Sequence, residues 1–260
     1  MSLDAASMFV LFAVFVRCSA MFLSSPFFSA TTIPVQIRVF TALSFAGALA
    51  IIVKPNMGPM PTSLIGLGSV MIVNALVGLL IGSLMHLMVF TAQMAGSILD
   101  LEIGLSASQV LNPIQGISVT VLSQFKYMLA TIVFLISNAH HFLIIALVDS
   151  FAKGSPLNTV NLSVLEPGIV SLLGHSMVIA IQIAAPTMAV SIVVDASLGL
   201  INRAVPQMQA LQVGMPAKLA AGIFAVSLSI PVLVYGVTRG TAQAFNFLEH
   251  VSVASAGPRK

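Results

Sequence analysis

The charged side chains Asp100, Glu102, Asp149, Asp195, Arg203, Lys218 and Arg239 each stand at or near the end of a long apolar run. Such groups are costly to bury without a partner, so they suit ion or proton relays, interfacial positions or structural ion pairs. Asp100, Glu102, Asp195, Arg203 and Lys218 are the candidates for polar pairing, within the chain or between subunits. His140-His141 offers two imidazoles. Neighbours on a helix point about 100° apart, and no Cys or carboxylate follows one turn on, so the pattern argues against a metal. Gly104-Leu105-Ser106, with a histidine as base, is a minimal nucleophile pattern that chance produces often. The chain has no H-E-x-x-H, no P-loop, no G-x-S-x-G and no G-x-G-x-x-G opening a helix. These absences argue against an enzyme, and no residue pattern calls for a cofactor.

The elements that must position these groups are read from the apolar runs. Residues 55–99, 127–148, 167–194 and 219–238 contain no Asp, Glu, Lys or Arg. A bilayer core about 30 Å thick needs roughly 20 apolar helical residues, and each run meets that length. Hydrophobic residues make up 58% of the chain and charged ones 7%, against about 25% charged in soluble proteins. The mean hydropathy is +1.08. Basic residues are scattered, giving a net charge of +3 and no patch suited to nucleic acid or anionic lipid. Cys18 stands alone, so an intrachain disulfide is excluded and the thiol reads as a small buried hydrophobe. Asp4 stands where a signal peptide would be basic and Arg17 interrupts the apolar stretch, so the start is expected to remain as the first helix.

Proline and glycine clusters divide the chain into six expected helices, at about 5–24, 35–53, 64–99, 118–149, 164–201 and 210–248. The fold class is all-α: a polytopic, membrane-associated set of helical hairpins with no segment polar enough for a soluble domain. The third helix would span about 54 Å if straight, so it must tilt, break or leave the bilayer. Gly66, Gly68, Gly78, Gly82, Gly96 and Pro186 are the natural places for a bend or a close helix contact. Gly78 with Gly82, and Gly236 with Gly240, form GxxxG pairs. Small residues let backbones approach, either inside the chain or against another subunit.

The least ordinary stretch is QMAGSILDLEIGLSASQVLNP at 93–113. A long apolar helix ends in two carboxylates, and small and hydroxyl residues then lead to Asn112-Pro113 and Gly116. This is a loop with short apolar side chains: Leu105, Val110, Leu111, Ile114 and Ile117. Irregular backbone at membrane depth is tolerated only inside protein or beside a water-filled cavity, so the loop is a candidate constriction or plug.

That segment, LATIVFLISNAHHFLIIALVDSF at 129–151, and IAAPTMAVSIVVDASLGLINRAVPQMQALQVGMP at 183–216 together resemble the FliR family of type III secretion export gates. The likeness covers nearly the whole chain, and the run at 195–207 is specific. The chain departs from the family pattern at Ala139-His140-His141 and at Gln209. The resemblance implies a channel-forming, non-enzymatic subunit of the flagellar export gate in the bacterial inner membrane and basal body, passing unfolded substrates. It implies FliP-like, FliQ-like and FlhB-like partner subunits, contact with membrane lipid, and no nucleic acid. It also implies that residues 1–165 pack like FliP and 166–260 like the two-helix FliQ subunit. The plug would lie at 105–117, with Leu105, Val110, Leu111, Asn112, Pro113, Ile114, Gly116 and Ile117. A virulence secretion gate is the near alternative. A stand-alone secondary transporter, with Asp100, Glu102 or Asp195 in a coupling site, is the more distant one; it would call for an inverted repeat, and none is visible.

Overall fold

The computed structural model describes residues 4–29, 33–53, 61–105, 120–152, 162–204 and 210–255, and their regular elements are all helices. They are α1 (Ala5–Ser24), α2 (Val35–Val53), α3 (Leu64–Ile103), α4 (Val121–Ile136), α5 (Ala139–Ala152), α6 (Leu162–Ala204) and α7 (Ala210–Ser255). Local chemistry sets several ends. Ser25-Pro26 follows α1, and Pro34 precedes α2 with its fixed φ and missing donor. The Ser63 hydroxyl accepts from the Gly66 N–H at 3.1 Å, an N-cap for α3. Gly104, at φ 86°, ends the same helix in the left-handed region that an L side chain resists.

The pattern at 118–149 predicts one helix, but the chain forms two, parted at Ser137-Asn138. Asn138 sits at φ 56°, a conformation asparagine tolerates better than most residues. The Ser137 N–H closes α4 on the Val133 carbonyl at 2.9 Å, and the His141 N–H reaches the Asn138 carbonyl at 2.9 Å as α5 begins. Elsewhere the long helices run on past proline: α7 contains Pro216 and Pro231.

Four helical stretches are long and apolar enough to cross a membrane: Ala5–Ser24, Leu64–Ile103, Glu166–Ala204 and Pro216–Glu249, with α4 and α5 together a possible fifth. α3, α6 and α7 have 40, 43 and 46 residues, so each is about 60 Å long or more, twice a hydrocarbon core. Leu64, Ile65, Phe40, Val121 and Ile136 are among many large apolar side chains left exposed. Exposed apolar side chains in such number on membrane-length helices fit cover by lipid or by another protein.

The chain forms two compact units. One comprises residues 1–87, 138–173 and 241–260, the other residues 88–137 and 174–240. In the first, α1 buries Ala13, Val14, Cys18, Met21 and Phe22. Phe22 meets Phe28 at 4.4 Å and Phe45 of α2 at 5.6 Å between ring centroids, within the range of favourable aromatic pairs. Gly78 and Gly82 of α3 receive α1. A Cβ at Gly82 would lie 2.5 Å from the Met21 carbonyl oxygen, and one at Gly78 would lie 2.9 Å from the Ala20 Cβ. The first GxxxG pair thus serves a helix contact inside the chain. In the second unit, Leu99, Ile103 and Val226 form a buried cluster with Leu122 against it. Gly236 and Gly240 of α7 lie against Ile179 of α6.

Candidate functional site

The end of α3 and the start of α4 carry a polar cluster in the second unit. Gly96 lets the two backbones meet, since a Cβ there would stand 2.9 Å from the Leu122 carbonyl oxygen and from the Ser123 nitrogen. One turn further along the same face of α3, Asp100 is fully buried. Its carboxylate accepts from the Ser123 N–H at 3.0 Å, the Leu122 N–H at 3.3 Å and the Thr120 hydroxyl. Thr120 occupies the N-cap position of α4 without capping it by its own side chain. Asp100 supplies that cap from another helix, satisfying orphan donors and placing negative charge at the positive end of the helix dipole. The Ser123 hydroxyl donates to the Thr120 carbonyl at 2.9 Å and completes the turn.

Lys126 lies one turn into α4 and is 1% exposed. Its Nζ has no hydrogen-bond partner among the described residues. Glu102 is part-buried, and its Oε2 also has no hydrogen-bond partner among the described residues. Leu105, the first expected plug residue, is exposed just after α3. Val110, Leu111, Asn112, Pro113, Ile114, Gly116 and Ile117 lie outside the described residues.

The first unit contains a further buried charge, which apolar-run ends alone do not reveal. Arg17 of α1 is fully buried. Its Nε donates to Asn74 Oδ1 at 3.0 Å, and its Nη1 donates to the Ser150 carbonyl at 3.0 Å and to Ser150 Oγ at 2.8 Å. The guanidinium carbon stands 3.9 Å from the centre of the Phe151 ring. Ser150 is in the last turn of α5, where unsatisfied carbonyls carry partial negative charge, so the cation sits at the favourable helix end. Asp100 and Arg17 follow one rule: each buried charge is balanced by a helix terminus. For Arg17 and Lys126 the signal in the sequence is a single charge inside an apolar helix.

The remaining predicted positions lie on α6 and α7. Asp195 accepts from Lys218 Nζ at 2.7 Å, with the Asp195 side chain 54% exposed and that of Lys218 20%. Arg203 is exposed in the last turn of α6, so Asp195 is paired with Lys218. Arg239 of α7 donates to the Tyr235 hydroxyl at 2.7 Å. The His140 and His141 rings stack at 4.4 Å between centroids.

The sequence model of the bacterial export proteins, family 1, matches residues 8–244. The chain belongs to this family. Its relatives include the flagellar biosynthetic protein FliR of Caulobacter vibrioides, 31% identical over 87% of this chain and 90% of the relative. FliR of Bacillus subtilis is 30% identical over 85% of each chain. FliR of Escherichia coli is 27% identical over 91% of this chain and 90% of the relative. A bacterial export protein of family 1 with membrane-length helices is a membrane component of a protein-export system.

Proposed function

We propose that this chain is a channel-forming subunit of the flagellar type III export gate, set in the bacterial inner membrane at the basal body, where it helps unfolded flagellar substrates to cross. The observation that carries the reading is the family match along almost the whole chain, with FliR proteins as relatives of similar length. The chain acts without catalysis of its own and assembles with FliP-like, FliQ-like and FlhB-like subunits. Residues 1–165 serve as its FliP-like part and 166–260 as its FliQ-like part. The exposed apolar sides of the long helices support this, because lipid or neighbouring subunits must cover them.

Residues 105–117 act as the plug of that conduit. A constriction lined by small apolar groups blocks ions by dewetting and yields to a passing chain. Asp100 and Thr120, close to its two ends, are held together by the cap at the start of α4, a firm base for such a segment.

The test is deletion of the gene in its native host, followed by measurement of hook and filament proteins in the medium and by purification of the tagged chain from membranes. Loss of flagellar export, restored by the chain and accompanied by co-purifying gate subunits, is expected. Normal flagellar export with loss of another secreted set would replace the flagellar reading by the virulence one. A self-sufficient monomer that transports a small solute would overturn both.

A further inference from the structure

One face of α7 is apolar, exposed and framed by charge. Between Lys218 and Arg239 the helix has no charged residue, and Leu219, Ile223, Phe224, Leu228 and Val234 stand exposed. Their helical spacing places them on one continuous stripe. Ala225, Val226, Leu233 and Val237 are buried on the other side, so the stripe is turned away from the chain's own core. Hydroxyls along this stretch are satisfied within the helix: Ser227 donates to the Phe224 carbonyl at 2.6 Å and Thr238 to the Val234 carbonyl at 2.8 Å. A polar group bonded in this way can enter an apolar medium at little cost.

The ends of the stripe match the two polar boundaries of a bilayer. From Lys218 to Arg239 the helix rises about 31 Å, the thickness of a hydrocarbon core. At one end Lys218 is paired with Asp195 of α6 at 2.7 Å. At the other, Arg239 Nη1 donates to the Tyr235 hydroxyl at 2.7 Å, and the guanidinium carbon stands 5.7 Å from the centre of the tyrosine ring. Gln182 of α6 is exposed close to that level, because Gly236 packs against Ile179 and Ile183. Tyrosine and arginine, each with an apolar body and a polar tip, are suited to the headgroup level. A covering protein helix would not require polar groups set one hydrocarbon thickness apart.

The Tyr235–Arg239 pair also has the chemistry to hold a phosphate. The Tyr235 oxygen accepts from Arg239, so its own proton is left to donate outward. The guanidinium has five N–H donors, and this contact uses one. A phosphodiester oxygen accepts well from such a charged donor, and one cation suffices where the chain has no basic patch.

We propose that this face of α7 lies against lipid, with Leu228 at the bilayer midplane, and that Tyr235 and Arg239 hold the phosphodiester of a phospholipid whose acyl chain runs down the stripe. The membrane setting is that of the proposed function; the choice of face and the headgroup site rest on the contacts of α7.

The sequence has no tryptophan, so a single introduced one reports depth in the purified assembly, reconstituted in phosphatidylglycerol nanodiscs with bromine at set positions on the acyl chains. Leu228→Trp should be quenched most by bromine near the chain end, and Val234→Trp by bromine nearer the headgroup. Quenching of both by iodide from the water, or by neither quencher, overturns the lipid face, since water or another protein would then cover it. For the headgroup site, dihexanoylphosphatidylglycerol should raise the thermal midpoint of the detergent-solubilised assembly. Arg239→Gln should need about tenfold more of that lipid for the same rise, and Tyr235→Phe about threefold more, as expected for loss of a charged and a neutral hydrogen bond. An equal rise with inorganic phosphate or with hexyl glucoside, or an unchanged requirement in Arg239→Gln, overturns the phosphate site. None of these measurements involves secretion, which tests the export reading separately.

Discussion

Replacing Arg17 by Met should destabilise the chain by about 3 kcal/mol, and replacing Asn74 by Leu in the same molecule should restore much of the loss. Arg17 is fully buried and directs its donors to Asn74 Oδ1 and to the carbonyl and hydroxyl of Ser150. Methionine retains most of the apolar stem but leaves the Asn74 oxygen buried without that donor, a loss of roughly 1–3 kcal/mol. It also removes a cation from the last turn of α5, worth roughly 0.3–2 kcal/mol. Leucine at 74 removes the orphaned acceptor, and replacing both partners of a buried hydrogen bond by apolar groups is close to neutral. The double variant should therefore be about 2 kcal/mol more stable than Arg17→Met alone. Cys18 supplies the assay, because it is the sole cysteine of the sequence and is fully buried beside Arg17. A dye that fluoresces on reaction with a thiol will report thermal unfolding of the detergent-solubilised protein. At roughly 2–4 °C per kcal/mol for a chain of this size, Arg17→Met should lower the midpoint by about 6–12 °C. A wild-type midpoint for Arg17→Met, or strictly additive losses for the two substitutions, would refute the reasoning.

Gly82→Leu should force α1 and α3 apart, since even a Cβ would crowd the Met21 carbonyl and Ser24. A loss of about 1–3 kcal/mol or more should appear as faster labelling of Cys18 under native conditions. Asp195→Asn should change the thermal midpoint by no more than the equivalent of about 1 kcal/mol, as befits an exposed ion pair; a loss several times larger would show that the pair is buried in the assembly. Asn138→Gly should fold as well as wild type. Asn138→Val should cost about 1–2 kcal/mol through strain at φ 56°, which the same thermal assay would detect.

The helices were legible because the bilayer-length apolar runs leave few alternatives, and proline and glycine mark most ends. The break between α4 and α5 was not, because Ser137-Asn138 inside an apolar run is compatible with continuous helix. Only the local left-handed residue reveals the turn. Asp100 was legible as a charge in need of a partner. Its partner was not, because a helix N-terminus is a feature of backbone geometry and leaves no oppositely charged residue to find. Arg17 interrupts the first apolar stretch and Lys126 directly precedes the run at 127–148, but a sequence does not show that a single charge so placed is buried, as both are. The Asp195–Lys218 pair joins two residues already marked as pairing candidates. Which of the candidates meet was not legible in the sequence, because the approach of α7 to α6 decides the match.

The interleaving of the two units bears on how the chain is made. The first unit takes residues from both ends of the sequence. Phe245, near the end of α7, stacks on Phe142 of α5 at 4.9 Å, and Phe247 lies over Gly168. A ribosome must therefore deliver almost the entire polypeptide before that unit can close. Until then its early helices lack some of their final neighbours. A premature stop near residue 240 would lose a closing piece of the unit whose synthesis began first, so the nascent protein has no early checkpoint at which an independently finished half is secure.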